Sequence, residues 1–376
     1  MQLQNYIDYM DSEKVRIHIG SGSMLEKEVE RPVLLISHNL SVTGAPIALL
    51  DMAKILIKNG RQVFVIALLS GDVMEDFLCS GSVVLTCADR NIDTVWLKKT
   101  ARIFPLTVVN TLALAPLVSL LLPVTQRLFW WIHESDYFFR ELKYGNIPVD
   151  MSLRILAASP KVSGLISEYM GRDSDILNVM VEDRFVPADR PKENRLIYFL
   201  WAGFINSNKM PELFLQAILE LPENYRKCAG FTFCGDGVDS ARKNMLQDCA
   251  DIFPDIFYIP FLPHDQLIEL MKEMDAVVVC SKEETTSLVA VEGLMLGKVV
   301  ICSDGCGIAD YLNDGTDAYI FPAENYSWLC QKIKHVIDHY DELTELRKAG
   351  RAIYEQHFTE KTFEKRVLGL LEMSDS

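Results

Sequence analysis

The sequence has no basic excess. Its 376 residues carry 37 Lys and Arg against 52 Asp and Glu, a formal net charge of −15. An acidic chain is a poor fit for nucleic acid as its main ligand, although a cleft can still be locally positive. Metal-ligand spacing is missing as well. The nine cysteines are odd in number and form no tight pair: Cys302 and Cys306 lie four apart, Cys228 and Cys234 six apart. They read as buried free thiols of a reducing cytosol. His335 and His339 share a helix face, but no HExxH pattern completes a site around them, so they read as surface histidines. The N-terminus, MQLQNYIDYMDSEKVR, has no basic region leading into an apolar core, so no signal peptide is expected. Residues 103–124 carry no charge, long enough to raise a membrane span. Pro105, Pro116 and Pro123 interrupt that run, and a strand, a turn and a helix explain it equally well.

What the sequence does contain is alternation. The length suits two domains of about 150 to 200 residues. After a polar lead-in over residues 1–30, with a short strand at Val15–Ile19, strands are expected at PVLLIS (Pro32–Ser37), Gln62–Ala67, Val83–Cys87, Leu106–Val109, Arg127–Ile132, Arg154–Ala158 and Ile176–Val181. Helices follow them, the first over Ile47–Asn59. That rhythm means a parallel sheet covered on both faces. The proline-bearing connector PADRPKEN, 187–194, is the expected domain boundary. The alternation then restarts: strands at Arg195–Ala202, Ala229–Cys234, Ile256–Pro260, Ala276–Cys280, Val299–Cys302 and Ala318–Phe321, a helix over Lys209–Leu221, and long helices to the end. The chain therefore reads as two doubly wound α/β units in tandem: an N-terminal domain over 1–190 joined by the last helix, 358–376, and a C-terminal domain over 191–357. Their carboxyl-end crevices are expected to face one cleft.

Four segments carry candidate chemistry. The stretch from Asp275 to Asp304 reads as strand, acidic loop, short helix and strand. It puts Glu284 at the mouth of the helix and Glu292 eight residues later, inside it. Both carboxylates can accept hydrogen bonds from ligand hydroxyls, and Thr285, Thr286 and Ser287 lie where helix-start N–H groups favour phosphate oxygens. The alternative is a capping loop with a solvent-facing Glu292. The second segment, SHNLSVTGAP, has neither GxGxxG nor GxxxxGK, so the usual nucleotide fingerprints are absent; Gly44 there suits a close backbone approach or a strained turn. In the third, His133 ends the strand that contains Trp130 and Trp131, and Glu134 and Asp136 are placed to hold its tautomer or keep it charged. In the fourth, Gly203–Lys209, Lys209 opens a helix where a cation opposes the dipole, so an anionic ligand is a reason for it; Asn206 and Asp236 are weaker polar candidates.

With these segments in place, the chain resembles a retaining glycosyltransferase of the GT-B fold, in the group 1 or family 4 class. The resemblance rests on Glu284, the seven residues TTSLVAV, Glu292 and the strand GKVV at Gly297–Val300, and on TGAP, His133, the segment from Gly203 to Lys209 and the GDG turn. It implies that Glu284 binds donor-sugar hydroxyls and Glu292 the nucleotide ribose. Ser287 and Leu288 would offer backbone N–H groups to the diphosphate, helped by Lys209. Gly44 would line the cleft, and His133 would contact the transferred sugar. Where the family usually has Gly-Phe-Gly, this chain has Thr285-Thr286-Ser287; where it usually has a basic residue, this chain has Phe204.

The implied reaction is metal-independent transfer of a hexosyl-type sugar from a nucleotide diphosphate sugar to a hydroxyl of a glycan or lipid-linked acceptor, with retention, in bacterial surface polysaccharide or glycoconjugate synthesis. No cofactor beyond the donor is expected. The expected location is the cytoplasm, with attachment to the inner face of a membrane left open. A catalytically silent partner of another glycosyltransferase and a nucleotide-sugar epimerase are the competing readings.

Overall fold

The computed structural model describes residues 1–20, 26–88, 92–141, 153–186 and 196–372. The chain divides into two compact units, one comprising Met1–Met180 and Phe363–Ser376, the other Val181–Thr362. The connector expected at 187–194 lies outside the described residues.

In the first unit the strands are β1 (Val15–Ile19), β2 (Val33–Ser37), β3 (Val63–Ala67), β4 (Val83–Cys87), β5 (Leu106–Asn110), β6 (Leu128–Ile132), β7 (Leu153–Ala157) and β8 (Asp175–Ile176). They form one sheet in the order β1-β4-β3-β2-β5-β6-β7-β8. Every pairing is parallel except that of β1 with β4. Successive side chains of a strand point to opposite faces, so a strand covered on both sides reads as an unbroken apolar run. Strand β2 shows this directly. Leu34 and Ile36 join Phe64, Ile66 and Trp130 in one core, while Val33 and Leu35 join Val63, Val65 and Trp131 in the other. Leu34, Leu35 and Ile36 are fully buried, each worth about 1.5–3 kcal/mol of transfer from water. The final helix, Glu360–Glu372, adds Phe363, Val367 and Leu371 to that second core.

The second unit repeats the plan with β9 (Ile197–Ala202), β10 (Ala229–Cys234), β11 (Ile256–Ile259), β12 (Ala276–Val279), β13 (Val299–Ser303) and β14 (Tyr319–Phe321). Its order is β11-β10-β9-β12-β13-β14, parallel throughout. Phe199 and Trp201 pack with Phe231 and Val278 on one face. Leu200 and Val277 pack on the other against Val291 and Leu294 of the helix Leu288–Met295.

These orders locate the crevices. In each sheet the winding reverses between two adjacent strands: β2 and β5 in the first unit, β9 and β12 in the second. Ligands of open α/β sheets bind at the carboxyl ends of such strands, because the loops there diverge to opposite faces.

Several sequence expectations are corrected. The polar lead-in contains a helix, Leu3–Met10, that buries Leu3, Tyr6 and Met10 along one stripe. The strand expected over Ile176–Val181 pairs only at Asp175–Ile176. After that the chain leaves the sheet, and the Val181 N–H bonds to the Phe358 carbonyl instead. The helix expected from Lys209 begins at Pro211, where proline's missing N–H costs nothing, and Met210 ahead of it is left-handed with φ 47°. The short lead-in strand, for which no direction was expected, is present as β1 and runs antiparallel to β4. In the charge-free run 103–124 the expected strand, turn and helix are present, as β5, a 3-10 turn at Leu112–Leu114 and the helix Ala115–Leu121. Among the described residues no helix is long and apolar enough to cross a membrane. All nine cysteines are free; Cys234, Cys280 and Cys302 are buried, but Cys79 and Cys228 are exposed. No cluster of metal-ligand side chains occurs among the described residues.

Candidate functional site

The crevice of the second unit is built by two loops held together through one asparagine. The loop after β9 runs from Gly203 to Met210, and the loop after β12 from Cys280 to Ser287. The Asn206 carboxamide oxygen accepts the N–H groups of Asn208 and Lys209 at 3.0 and 2.8 Å, folding the first loop back on itself. Asn208 then donates to the Glu283 carbonyl (2.8 Å) and accepts from the Glu283 N–H (3.2 Å). Its own carbonyl takes the Lys282 N–H at 2.8 Å. This brings the Lys209 ammonium 2.5 Å from the Glu284 carboxylate, which also accepts from the Ser281 hydroxyl. Asn208 was not among the sequence candidates; the Asn-Ser-Asn spacing at 206–208 is the turn signal that points to it.

The other edge of that loop is tied down by backbone. The Glu284 N–H reaches Gly305 O (3.1 Å), the Glu284 carbonyl takes the Gly307 N–H (2.9 Å), and the Thr286 carbonyl takes the Ile308 N–H (2.9 Å). A Cβ at Gly305 would lie 2.1 Å from the Lys282 carbonyl oxygen, and one at Gly307 would lie 2.0 Å from that of Thr285, so both positions exclude any other residue. The helix Leu288–Met295 starts from Ser287, which holds φ 82° and ψ 90° without a side-chain cap. Its first helical bond is Val291 N–H to Ser287 O. The N–H groups of Leu288, Val289 and Ala290 therefore stand ahead of the helical ladder, carrying the positive end of the dipole. The expectation that Thr285, Thr286 and Ser287 supply that helix start moves by a few residues. Thr285 is half-buried, and the hydroxyls of Thr286 and Ser287 are buried without a hydrogen-bond partner among the described residues.

Glu292 is buried rather than solvent-facing, with its Oε1 2.7 Å from His264 Nε2. That carboxylate raises the His264 pKa above its ordinary value. No spacing rule links residues 264 and 292, and the sequence did not point to His264. Beside these groups, Gly203, Phe204, Cys234, Gly235, Phe261 and Leu262 line a mainly apolar cavity of about 410 Å³. Phe204 and Phe261 keep about half and two thirds of their surfaces exposed.

The crevice of the first unit gathers different groups. His38 follows β2, Asn110 and Thr111 end and follow β5, and His133 follows β6. His133 Nε2 lies 2.8 Å from the Asn110 Oδ1, and the Asn110 amide nitrogen donates to the Ala45 carbonyl at 2.9 Å. His38 Nδ1 meets the Thr111 hydroxyl at 3.1 Å. Thr111 is fully buried at φ 88°, a costly conformation for a β-branched residue. Its neighbours hold it there: its N–H bonds to Trp131 O (2.8 Å), and its carbonyl accepts from the Trp130 indole (2.8 Å).

Two expectations for this edge are corrected. Glu134 and Asp136 do not hold the His133 ring. The Glu134 carboxylate accepts the His133 backbone N–H (3.0 Å), and Asp136 accepts from the Tyr169 hydroxyl (2.7 Å). Nor is His133 charged: burial and the neighbouring His38 push its pKa down to about 3. At Gly44 the structure shows neither a strained turn nor a close approach. The residue opens the helix Gly44–Lys58, and a Cβ there would meet nothing within 4 Å.

Comparison with known proteins places the chain. A family model described as "Glycosyl transferases group 1" matches residues 182–353, and one described as "Glycosyl-transferase family 4" matches residues 29–150. Over 171 residues the chain is 20% identical to the alpha-D-kanosaminyltransferase of Streptomyces kanamyceticus. That match covers 46% of this chain and 42% of that protein, less than half of the relative's length. The fold is similar to that of Anabaena Alr3699/HepE, solved with UDP and with UDP-glucose. The TM-scores are 0.75 and 0.74 at 16% identity, covering 91% of this chain and 99% of that one. A glycosyltransferase from Rickettsia africae is similar to the same degree, with a TM-score of 0.75 at 16% identity over 91% of this chain and 98% of that one. With group 1 sequence over the second unit, family 4 sequence over most of the first, and the two parallel-sheet units of the GT-B fold, the chain belongs to the group 1, family 4 glycosyltransferases.

Proposed function

We propose that this glycosyltransferase moves a hexosyl-type sugar from a nucleoside diphosphate sugar to a hydroxyl of a glycan or lipid-linked acceptor, with retention at the anomeric carbon and without a metal or other cofactor. The observation that carries the reading is the arrangement at the β9–β12 crevice. An ammonium, a carboxylate and uncapped helix-start amides converge there beside a cavity walled by Phe204 and Phe261. The structural relatives solved with UDP and UDP-glucose support the same donor class.

In this assignment the nucleobase stacks in the cavity, where aromatic faces and flanking Gly203 and Gly235 suit a flat ring. Glu292, oriented by His264, accepts from the ribose hydroxyls. The Leu288 N–H and its neighbours, with Ser287, receive the diphosphate, and Lys209 neutralises the charge that develops as the sugar leaves. Thr285 and Thr286 shape that loop. Glu284, held by Lys209 and Ser281, accepts from hydroxyls of the transferred sugar. The ammonium is thus shared between Glu284 and the phosphate, which gives Phe204 a different task from the basic residue it replaces: a wall for the base rather than a phosphate clamp. Gly44 and His133, on the first unit, are assigned to the hydroxyl-bearing part of the substrates. No side-chain base is nominated; the leaving phosphate oxygen takes the acceptor proton. A role in bacterial surface polysaccharide or glycoconjugate synthesis at the inner face of the membrane fits such an acceptor.

The test pairs donor screening with one variant. Among nucleoside diphosphate sugars, at least one should raise the unfolding temperature and, with a hydroxyl acceptor and chelator present, yield a glycoside of the donor's anomeric configuration. Glu284→Gln should leave UDP binding intact and lower turnover roughly 10- to 100-fold, as expected for one charge-assisted hydrogen bond. Binding without transfer would favour the silent-partner reading, and sugar conversion without acceptor the epimerase. An inverted product would contradict the mechanism.

A further inference from the structure

The contacts of Asn110 settle a proton position, and with it the kind of group that His133 can meet. The Ala45 carbonyl has no hydrogen to give, so the Asn110 atom 2.9 Å from it must be the amide nitrogen. The other atom of that carboxamide is then the oxygen, and it faces His133 Nε2 at 2.8 Å. A carboxamide oxygen only accepts, so His133 Nε2 must carry the hydrogen. The amide is not free to flip, because turning it would set two oxygens together at Ala45. Asn110 is fully buried at the end of β5, so water does not replace either contact.

We propose that Asn110 is a positioning residue that fixes the His133 proton on Nε2, leaving Nδ1 as a hydrogen-bond acceptor for a substrate hydroxyl. The Nδ1 atom has no partner among the described residues. The ring leans against Trp131 with centroids 4.4 Å apart, which fixes its plane. His38, at the end of β2, is the titratable neighbour that opposes a charge on the ring. Glu134, next in sequence, keeps its carboxylate on backbone N–H groups. A neutral Nδ1 lone pair takes a hydrogen from a hydroxyl and repels a phosphate or carboxylate oxygen. His133 thus reads hydroxyls and leaves diphosphate to the second unit. The same carboxamide anchors Ala45, so the start of the helix Gly44–Lys58 and the histidine that follows β6 share one reference point. This reading rests on the glycosyltransferase assignment for its substrate but not for its proton.

The first experiment needs no substrate. In protein with 15N-labelled histidine, the His133 signals, assigned by their loss in His133→Gln, should show an unprotonated Nδ1 and a protonated Nε2, unchanged between about pH 5 and 8. A protonated Nδ1, or a ring that titrates in that range, would overturn the inference while leaving the glycosyltransferase assignment standing. The second uses Asn110→Leu, which keeps the branched shape of the side chain and removes both hydrogen bonds. The Nε2–H preference should be lost, and kcat/KM should fall about tenfold while UDP affinity is retained. A well-folded variant with the wild-type tautomer would equally refute it. A panel of monodeoxy sugars completes the test: one deoxy substrate should be as slow with wild type as the parent sugar is with His133→Gln, and no slower with the variant. Equal sensitivity of every deoxy sugar to His133→Gln would show that Nδ1 meets no hydroxyl.

Discussion

The two crevices have the same topology and opposite chemistry. Around β9–β12 the loops and helices beyond the strands hold an ammonium, two carboxylates and a histidine whose affinity for a proton is raised. At the ends of β2, β5 and β6 stand two histidines whose affinity for a proton is lowered, one carboxamide and one strained threonine. Parallel winding decides where each crevice opens; the residues placed at the strand ends decide what it can hold. A charged edge suits a phosphate-bearing ligand, whereas a neutral, pre-oriented edge suits hydroxyls. Both edges also keep buried non-glycine residues at positive φ, Met210 and Ser287 at one and Thr111 at the other. Such conformations persist only where neighbours over-determine them.

The comparison breaks most severely at Gly307. A Cβ there would press on the Thr285 carbonyl, a backbone atom with no flexible tip to yield. Gly307→Ala should cost about 3 kcal/mol in chemical denaturation and displace the Glu284 loop, with UDP affinity lost and the His38 and His133 signals unmoved. A variant as stable as wild type would mean that the loop is not pinned there. Next comes Glu292→Ala, which should weaken UDP binding by roughly 1.5–3 kcal/mol in calorimetry, while His133→Gln leaves it unchanged. The reverse ranking would erase the division of labour between the edges.

The strained pair sharpens the contrast further. Ser287→Gly should stabilise the protein by about 1 kcal/mol, because glycine accepts φ 82° and a buried unpartnered hydroxyl is removed. Thr111→Gly gains the same relief but loses the hydroxyl contact to His38, so its net effect should lie near zero. Equal thermal shifts for the two would show that the threonine contact contributes nothing. The smallest effect is that of pH. The folded-state pKa of His264 is raised by Glu292, so the ion pair stabilises fully below the unfolded value of about 6.5 and fades as pH rises through the folded value. His264 is largely exposed, so the change is slight; Glu292→Gln should flatten it, and an unflattened profile would assign it to another group.

Much of this was legible in the sequence, for physical reasons that also explain what was not. Strands buried on both faces announce themselves as apolar runs, so β2, β10 and β12 were read to within a residue or so. The places of Glu284 ahead of a helix and Glu292 within it are legible because a loop, a helix and a strand follow each other at short range there. Contacts between distant positions leave no such trace. Asn208 beneath Glu283, His264 on Glu292 and Asn110 on His133 join residues far apart in the chain, and only the sheet order brings them together. The helix Leu3–Met10 escapes the sequence reading although Leu3, Tyr6 and Met10 lie at helical spacing, because Gln4, Asn5 and Asp8 give so short a stretch a polar character. Gly305 and Gly307 are absent from the sequence reading: two glycines separated by one residue after a strand permit a close backbone approach but do not name its partner.

The division between a charged and a neutral edge is tested most directly by hydrogen–deuterium exchange with and without saturating UDP. The account predicts slowed exchange at the amides of 288–290 and in the loops of 203–210 and 281–287, with 37–45 and 110–134 unchanged. Protection confined to the β2, β5 and β6 strand ends, with the Leu288 helix start exchanging as in the free protein, would contradict it.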